Sequence, residues 1–198
     1  MAVYKLQTPI SEVEIRKLKV NDVLYITGTI VTVRDQAHKK ALEQFKSGKS
    51  LPIRLNGLAI YHCGPIVRRE GSRWVVVAAG PTTSTRMEIF EADFIKNFGV
   101  RVVVGKGGMG RKTTDVMAKY GAVYGAFTGG AAVLAAKAIK GVKGVEWLDL
   151  GMPEAMWVFD VEDFGPLTVA IDSHGNNLYL EVQRQAEENR RKIFRREF

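Results

Sequence analysis

Cysteine is almost missing from this chain, since Cys63 is the one cysteine among 198 residues. A lone thiol excludes an internal disulfide and favours a reducing, cytoplasmic setting. It also excludes a self-contained iron–sulfur cluster or a Cys-rich zinc site, because each needs several thiolates. The histidines His38, His62 and His174 are scattered and form no zinc motif. The sequence therefore predicts no metal bound by this chain alone.

Long apolar runs are missing as well. No stretch approaches 18 apolar residues, so we expect no membrane span, and the first nine residues lack the apolar core of a signal peptide. The hydrophobic content of 46% is nonetheless enough to bury a core. We expect one domain that covers residues 1–198.

The formal net charge of +8 raises nucleic acid as a partner. Much of the excess lies near the end of the chain, where we predict a charged C-terminal helix over about residues 176–196. Its basic residues are Arg184, Arg190, Arg191, Lys192, Arg195 and Arg196. No RNA-recognition or helix-turn-helix signature accompanies them, and aromatic residues are not interleaved, so nucleic acid is disfavoured.

The loop Gly-Pro-Thr-Thr-Ser-Thr-Arg-Met at residues 80–87 is the strongest functional signal. The apolar run at residues 74–79 is typical of a strand covered on both faces. Apolar residues at steps of three and four from Met87 to Phe98 predict the helix that follows. Arg86 would lie in the first helical turn, where the helix dipole disfavours a cation, so we expect a compensating anion. An alternative of equal weight is that residues 82–85 cap the helix and Arg86 points into solvent.

A second strand and glycine-rich loop follow at residues 100–110. The loop fits G-x-G-x-x-G, but the acidic residue expected about 20 positions later is missing. Arg111 also interrupts the Gly-Lys-Ser/Thr run of a phosphate-binding loop. Both nucleotide sites are therefore excluded. What is left is Lys106 between Gly105 and Gly107, beside backbone donors suited to a carboxylate.

A third cation, Arg34, lies where the predicted strand at residues 23–33 meets a helix. That helix begins near Asp35, the expected N-cap, and His38 lies on its apolar face as a core histidine rather than a catalytic one. Arg34, Arg86 and Lys106 thus lie at three strand-to-helix junctions. Such an arrangement predicts a pocket for a small acid with several negative charges.

Strand and helix patterns alternate along the chain. Further strands are predicted at residues 58–63, 122–127, 142–150, 156–161 and 167–171, with helices at 12–18 and 131–139. The short connection at residues 160–166 favours antiparallel neighbours, so the predicted class is α/β with a mixed sheet.

These motifs together resemble the β subunit, or C-terminal domain, of class I (iron–sulfur) fumarate hydratases and the related L(+)-tartrate dehydratase β subunit. The resemblance rests on residues 80–87, 105–109 and the Arg34-Asp35-x-Ala37-His38 cluster. It implies a single swivelling β/β/α-type domain and a hydro-lyase that interconverts fumarate and L-malate by reversible addition of water. It also implies a [4Fe-4S] cluster bound by a partner α subunit, in an α2β2 assembly, with a homodimer as the state of the isolated chain.

The same resemblance implies residue roles. Thr82 is the candidate base, and Asp35 and His38 support the site. The dicarboxylic acid substrate is expected to contact Arg34, Thr83, Arg86, Gly105 and Lys106. Two alternatives stay open: an L(+)-tartrate dehydratase β subunit, and a stand-alone anion-binding or regulatory module without catalysis.

Overall fold

The computed structural model describes residues 1–194. Its helices and strands are β1 Val3–Gln7, α1 Glu12–Ile15, β2 Val23–Thr32, α2 Asp35–Lys46, β3 Ala59–Tyr61, β4 Ile66–Glu70, β5 Arg73–Ala78, α3 Glu88–Phe98, β6 Val102–Gly105, α4 Arg111–Tyr120, β7 Val123–Ala126, α5 Ala132–Ala138, β8 Ile139–Glu146, β9 Met156–Ile171 and α6 Leu178–Phe194. Short 3₁₀ turns occupy Ser84–Met87 and Leu148–Leu150.

Seven strands form one sheet in the order β1-β2-β3-β6-β7-β9-β8. The pairs from β1 to β7 are parallel, whereas β9 runs antiparallel to β2, β7 and β8. Because β9 pairs with both β7 and β2, it closes the sheet into a ring around an apolar interior. The predicted α/β class with a mixed sheet is confirmed.

The central strands are buried on both faces because they separate two cores. Successive side chains of a strand point to opposite faces. Ala59 and Tyr61 of β3 therefore pack inside the ring, while Ile60 packs in the second core beneath α2, α3 and α4. This placement leaves the carboxyl ends of β2, β3 and β6 as an accessible edge of the fold.

Two strand predictions are wrong in detail. The run at residues 74–79 is not covered on both faces, because β5 pairs with β4 in a separate two-stranded sheet and Val77 is 46% exposed. Its apolar character reflects packing against the ring, where Trp74 meets Trp157 at 5.2 Å between ring centroids. Residues 156–171 form one strand rather than two, because β9 continues while its pairing changes to β7.

Helix and strand ends also differ from the predictions. Strand β8 begins and ends earlier than the predicted residues 142–150. Helix α6 ends its described part at Phe194, so the predicted end at 196 and the cations Arg195 and Arg196 lie outside the described residues. Among the described helices, none has the length and apolarity needed to cross a membrane.

Candidate active site at the edge formed by β2, β3 and β6

The loop after β5 returns to the main sheet and lies between the ends of β3 and β6. The Thr82 N–H donates to the His62 carbonyl at 2.7 Å, and the Lys106 N–H donates to the Thr82 carbonyl at 3.3 Å. One residue further, Thr83 and Lys106 form a parallel bridge, and the Ser84 N–H donates to the Lys106 carbonyl at 2.8 Å. Backbone bonds on both sides therefore place Thr82 next to Lys106.

Arg86 lies in the 3₁₀ turn that precedes α3 rather than in the first turn of the α-helix itself. Its guanidinium donates to both carboxylate oxygens of Asp35, with Nε 3.2 Å from Oδ1. Burial raises the pKa of Asp35, but the hydrogen bonds from Arg86 outweigh it and lower that pKa below its ordinary value. The compensating anion expected near Arg86 is thus a residue of this chain.

The predicted N-cap of α2 is wrong. Arg34 occupies the N-cap position with an extended backbone, and Asp35 is the first helical residue. A carboxylate in the first turn interacts favourably with the helix dipole. Asp35 therefore interacts favourably with the dipole of α2 and also binds Arg86, beside the candidate site.

Arg34 pairs with a carboxylate that the sequence did not indicate. Its Nε lies 3.2 Å from Oε1 of Glu154, and the two side chains are 20% and 19% exposed. The other Glu154 oxygen accepts the Gln36 N–H at 2.9 Å. Gly64 lies close beside this pair, because an added Cβ would meet the Arg34 Nη1 atom and would lie 3.0 Å from the Pro153 carbonyl oxygen.

Lys106 differs from the two arginines because it has no carboxylate partner within residues 1–194. Its side chain runs past Gly129, where an added Cβ would lie 3.7 Å from the lysine Cδ. The three cations and the carboxylates Asp35 and Glu154 together leave this edge with one net positive charge.

A fully buried polar cluster lies beneath the loop, and each of its side chains is 0% exposed. Its members are Tyr124, Ser84, His62, Glu91 and His38. The Tyr124 hydroxyl donates to Ser84 Oγ at 2.9 Å, and Ser84 Oγ lies 2.9 Å from His62 Nδ1. His62 Nε2 lies 2.9 Å from Glu91 Oε2. These bonds connect β7, the 3₁₀ turn, β3 and α3.

The cluster continues to α2 through His38. Its Nε2 is 3.3 Å from Glu91 Oε2, within ion-pair distance but outside hydrogen-bond geometry, and its Nδ1 is 2.9 Å from the Arg34 carbonyl oxygen. His38 is therefore a core histidine, as predicted. Through His38, the cluster contacts the backbone carbonyl of Arg34, one of the predicted substrate-binding residues.

Gly105 lies directly against this cluster. An added Cβ would meet Ser84 Oγ and would lie 3.2 Å from Tyr124 Oη and 3.3 Å from the His62 Cβ. Glycine is thus required at the end of β6 for the cluster to form. The structure places Gly105 under the candidate site, with Lys106 and Thr83 above it.

Burial sets the protonation of the cluster. Burial lowers the pKa of His62 below its ordinary 6.5, against the opposing hydrogen bond to Glu91. Burial alone would raise the pKa of Glu91, but the adjacent His38 and His62 rings outweigh it and lower that pKa to about 2. At neutral pH the cluster therefore contains an ionised carboxylate beside a neutral His62.

His38, His62 and Glu91 are also the described residues whose metal-ligating atoms come within 4.8 Å of one another. The distance of 2.9 Å between His62 Nε2 and Glu91 Oε2 is that of a direct hydrogen bond. Cys63 does not fit an iron–sulfur cluster, because it is one thiol, it is fully buried, and burial raises its pKa to about 12.

Five site-forming residues were not predicted from the sequence: Glu91, His62, Ser84, Tyr124 and Glu154. One signal was present for Glu91, which interrupts the apolar face of α3 between Met87 and Phe94. The other residues come from separate elements, and only the fold brings them together.

The cluster predicts a loss of stability on mild acidification. Below pH 6.5 the unfolded chain binds a proton at His62 that the folded chain does not bind, so the free energy of unfolding should fall as the pH is lowered from 7 to 5. Glu91 should add a second loss below about pH 4.5, its ordinary value. Urea unfolding measured from pH 7 to below pH 4.5 tests both.

The matched pair for this measurement is His62→Gln and His174→Gln. His174 is exposed, and its variant is the control for loss of a histidine outside the buried cluster. The His62 variant should show a flatter slope between pH 7 and 5. Equal slopes in the wild type and the His62 variant would contradict the assignment of a neutral, buried His62.

Comparison with known proteins places this chain in a family. Residues 2–182 match the family described as Fumarase C-terminus. The L(+)-tartrate dehydratase subunit beta of Escherichia coli (strain K12) is 48% identical over 185 residues, which cover 93% of this chain and 90% of that protein. The protein named "Putative fumarate hydratase class I" in Geobacillus stearothermophilus is 46% identical over 185 residues, which cover 93% of this chain and 35% of that protein. The resemblance in the motifs is thereby confirmed, and the chain belongs to the Fumarase C-terminus family.

Proposed function

We propose that this chain is the β subunit of a hydro-lyase of the class I fumarase and tartrate dehydratase type, which adds water reversibly to fumarate to give L-malate. The observation that carries the proposal is the backbone pairing that puts Thr82 beside Lys106 at the edge where Arg34 and Arg86 also lie. A hydroxyl and three cations at one edge suit a substrate with two carboxylates.

In the dehydration direction, Thr82 accepts the proton from the carbon next to one substrate carboxylate. The electron pair of that C–H bond adds negative charge to the carboxylate and then forms the carbon–carbon double bond. The substrate hydroxyl leaves as hydroxide, for which a [4Fe-4S] cluster on the α subunit would supply the Lewis acid. A threonine hydroxyl is a weak base, so its alkoxide needs nearby positive charge. Lys106 supplies that charge, and the arginines stabilise the carboxylate as its charge grows.

The charge at this edge supports a site that is completed by another subunit. One net positive charge remains after Asp35 and Glu154 are counted, against two negative charges on a dicarboxylate. We assign the missing charge and the [4Fe-4S] cluster to a partner α subunit, since Cys63 does not fit a cluster. The relatives named as β subunits support this division, and we propose an α2β2 assembly.

An exposed apolar rim supports a partner at the same place. Val133 and Leu134 of α5 are 62% and 50% exposed, and Val77 of β5 is 46% exposed. Helix α5 adjoins the start of the Thr82 loop, because the Ala79 N–H donates to the Ala132 carbonyl at 3.1 Å. We assign this rim to contact with the α subunit, because a partner that completes the site must approach this edge.

L(+)-tartrate dehydratase is the second candidate activity. The relatives named L(+)-tartrate dehydratase subunit beta match over 90% of their length, whereas the one named as a class I fumarate hydratase matches over 35%. The two activities share their chemistry and differ by one hydroxyl on the substrate. Turnover of fumarate, L-malate and L(+)-tartrate by one preparation ranks them directly.

The role of Thr82 is tested by Thr82→Val in the complex with the α subunit. Removal of a general base is expected to lower kcat by about 10²- to 10⁴-fold, while the near-identical side-chain volume keeps the complex intact. Steady-state kinetics with L-malate measures the change. Thr168→Val is the control, because it makes the same change at an exposed position on β9, outside the loop of residues 80–87. Wild-type kcat in Thr82→Val would remove Thr82 from the mechanism.

The rim is tested by Val133→Asp. A carboxylate placed in an apolar contact should weaken binding of the α subunit by at least about tenfold, because it would be desolvated without a partner. The control is Val13→Asp, since Val13 is 71% exposed on α1 at the other end of the fold. Co-purification and analytical ultracentrifugation report the assembly. Equal association of both variants would show that the partner binds elsewhere.

A further inference from the structure

We propose that Glu91 is a positioning residue that holds the two sides of the candidate site in register through His38 and His62. The inference rests on the proposed function for the identity of the reaction. Glu91 does not touch the substrate edge; it lies beneath it, on the buried face of α3. Its carboxylate is the one group in the described cluster that contacts both histidines.

The first connection runs to Arg34. A carbonyl oxygen can only accept, so the 2.9 Å contact with the Arg34 carbonyl requires the proton of His38 on Nδ1. Nε2 then faces Glu91 Oε2 at 3.3 Å, within ion-pair distance, so the carboxylate lies against the edge of the ring. Glu91 thereby orients the His38 ring, which in turn orients the backbone at Arg34.

The second connection runs to the Thr82 loop. His62 donates from Nε2 to Glu91, so its Nδ1 has a free lone pair and accepts from the Ser84 hydroxyl. Ser84 then accepts from Tyr124. The Glu91 carboxylate can only accept, so it determines which atom donates in each of the hydrogen bonds from His62 to Ser84. Ser84 is two residues from Thr82, and its N–H binds the Lys106 carbonyl, so this connection reaches the candidate base and its neighbouring cation.

The chemistry of the cluster favours positioning over simple stabilisation. Glu91 Oε1 is buried without a hydrogen-bond partner, and His38 Nε2 is buried without an aligned one. Apolar residues of similar volume commonly stabilise a core as well as a buried ionic group does. Glu91 is charged, incompletely paired and located where the connections to Arg34 and Thr82 meet. Its presence in the core is therefore better explained by the geometry that it imposes on the site.

The test compares Glu91→Leu with Glu91→Gln in the full-length chain and in its complex with the α subunit. Leucine removes both contacts. Glutamine keeps the shape and, with its oxygen in the place of Oε2, still accepts from His62. We expect Glu91→Leu to lower kcat at least tenfold and Glu91→Gln to stay within about threefold of wild type. Asp93→Leu, an exposed change on the same helix, should be neutral.

A second readout does not depend on turnover. In amide NMR spectra of the isolated chain, Glu91→Leu should shift the resonances of Thr82, Ser84 and Lys106, and Glu91→Gln should restore them. If Glu91→Leu does not fold, Ser84→Ala cuts the second connection alone and should shift Thr82 and Lys106 while the Arg34 amide stays unchanged. Unshifted Thr82 and Lys106 amides in a folded variant would overturn the inference.

The two proposals fail differently. A wild-type complex without hydro-lyase activity would contradict the proposed function and leave the NMR comparison to decide the role of Glu91. An active complex with unchanged kcat in Glu91→Leu would overturn the positioning role and leave the function standing. Metal analysis adds one more outcome: stoichiometric zinc that is lost in Glu91→Leu would replace the hydrogen-bonded cluster with a metal site.

Discussion

The hydrogen bond between His62 and Glu91 joins the end of β3 to helix α3, and the candidate site depends on it. That bond fixes the His62 ring so that Nδ1 faces Ser84 Oγ, which lies in the 3₁₀ turn that also carries Arg86. The same cluster requires glycine at position 105, because any side chain there would displace Ser84. The buried cluster thus accounts for the glycine at position 105 and the serine at position 84.

The surface above this cluster is incomplete as a site for a dianion. Arg34 and Arg86 each have a carboxylate partner within the chain, and Lys106 is left as the cation without one among the described residues. The paired arginines are held in place before any substrate arrives, which lowers the ordering needed on binding. The same pairing reduces the net positive charge of this edge to one.

The sequence predicted the class of fold and the edge of the sheet that carries the candidate site. It did so because strands alternate with helices and because Arg34 and Lys106 follow β2 and β6, which both pair in parallel with β3. The two-sided burial assigned to residues 74–79 was wrong, since an apolar run does not reveal which surface it packs against. Glu154 and Tyr124 could not be predicted from the sequence. Glu154 lies just before β9 and Tyr124 lies in β7, and both reach the site only because the sheet closes into a ring.

Anaerobic turnover of fumarate, L-malate and L(+)-tartrate tests the central claim most directly, with this chain measured alone and in an iron-loaded complex with its α-type partner. The account predicts turnover in the complex and none from the chain alone, because this chain supplies a base and cations but neither the full positive charge nor cluster ligands. Turnover by the isolated chain would contradict the claim of a site shared between subunits. A stable, cluster-loaded complex that turns over none of the three acids would contradict the assigned reaction and favour a stand-alone anion-binding module.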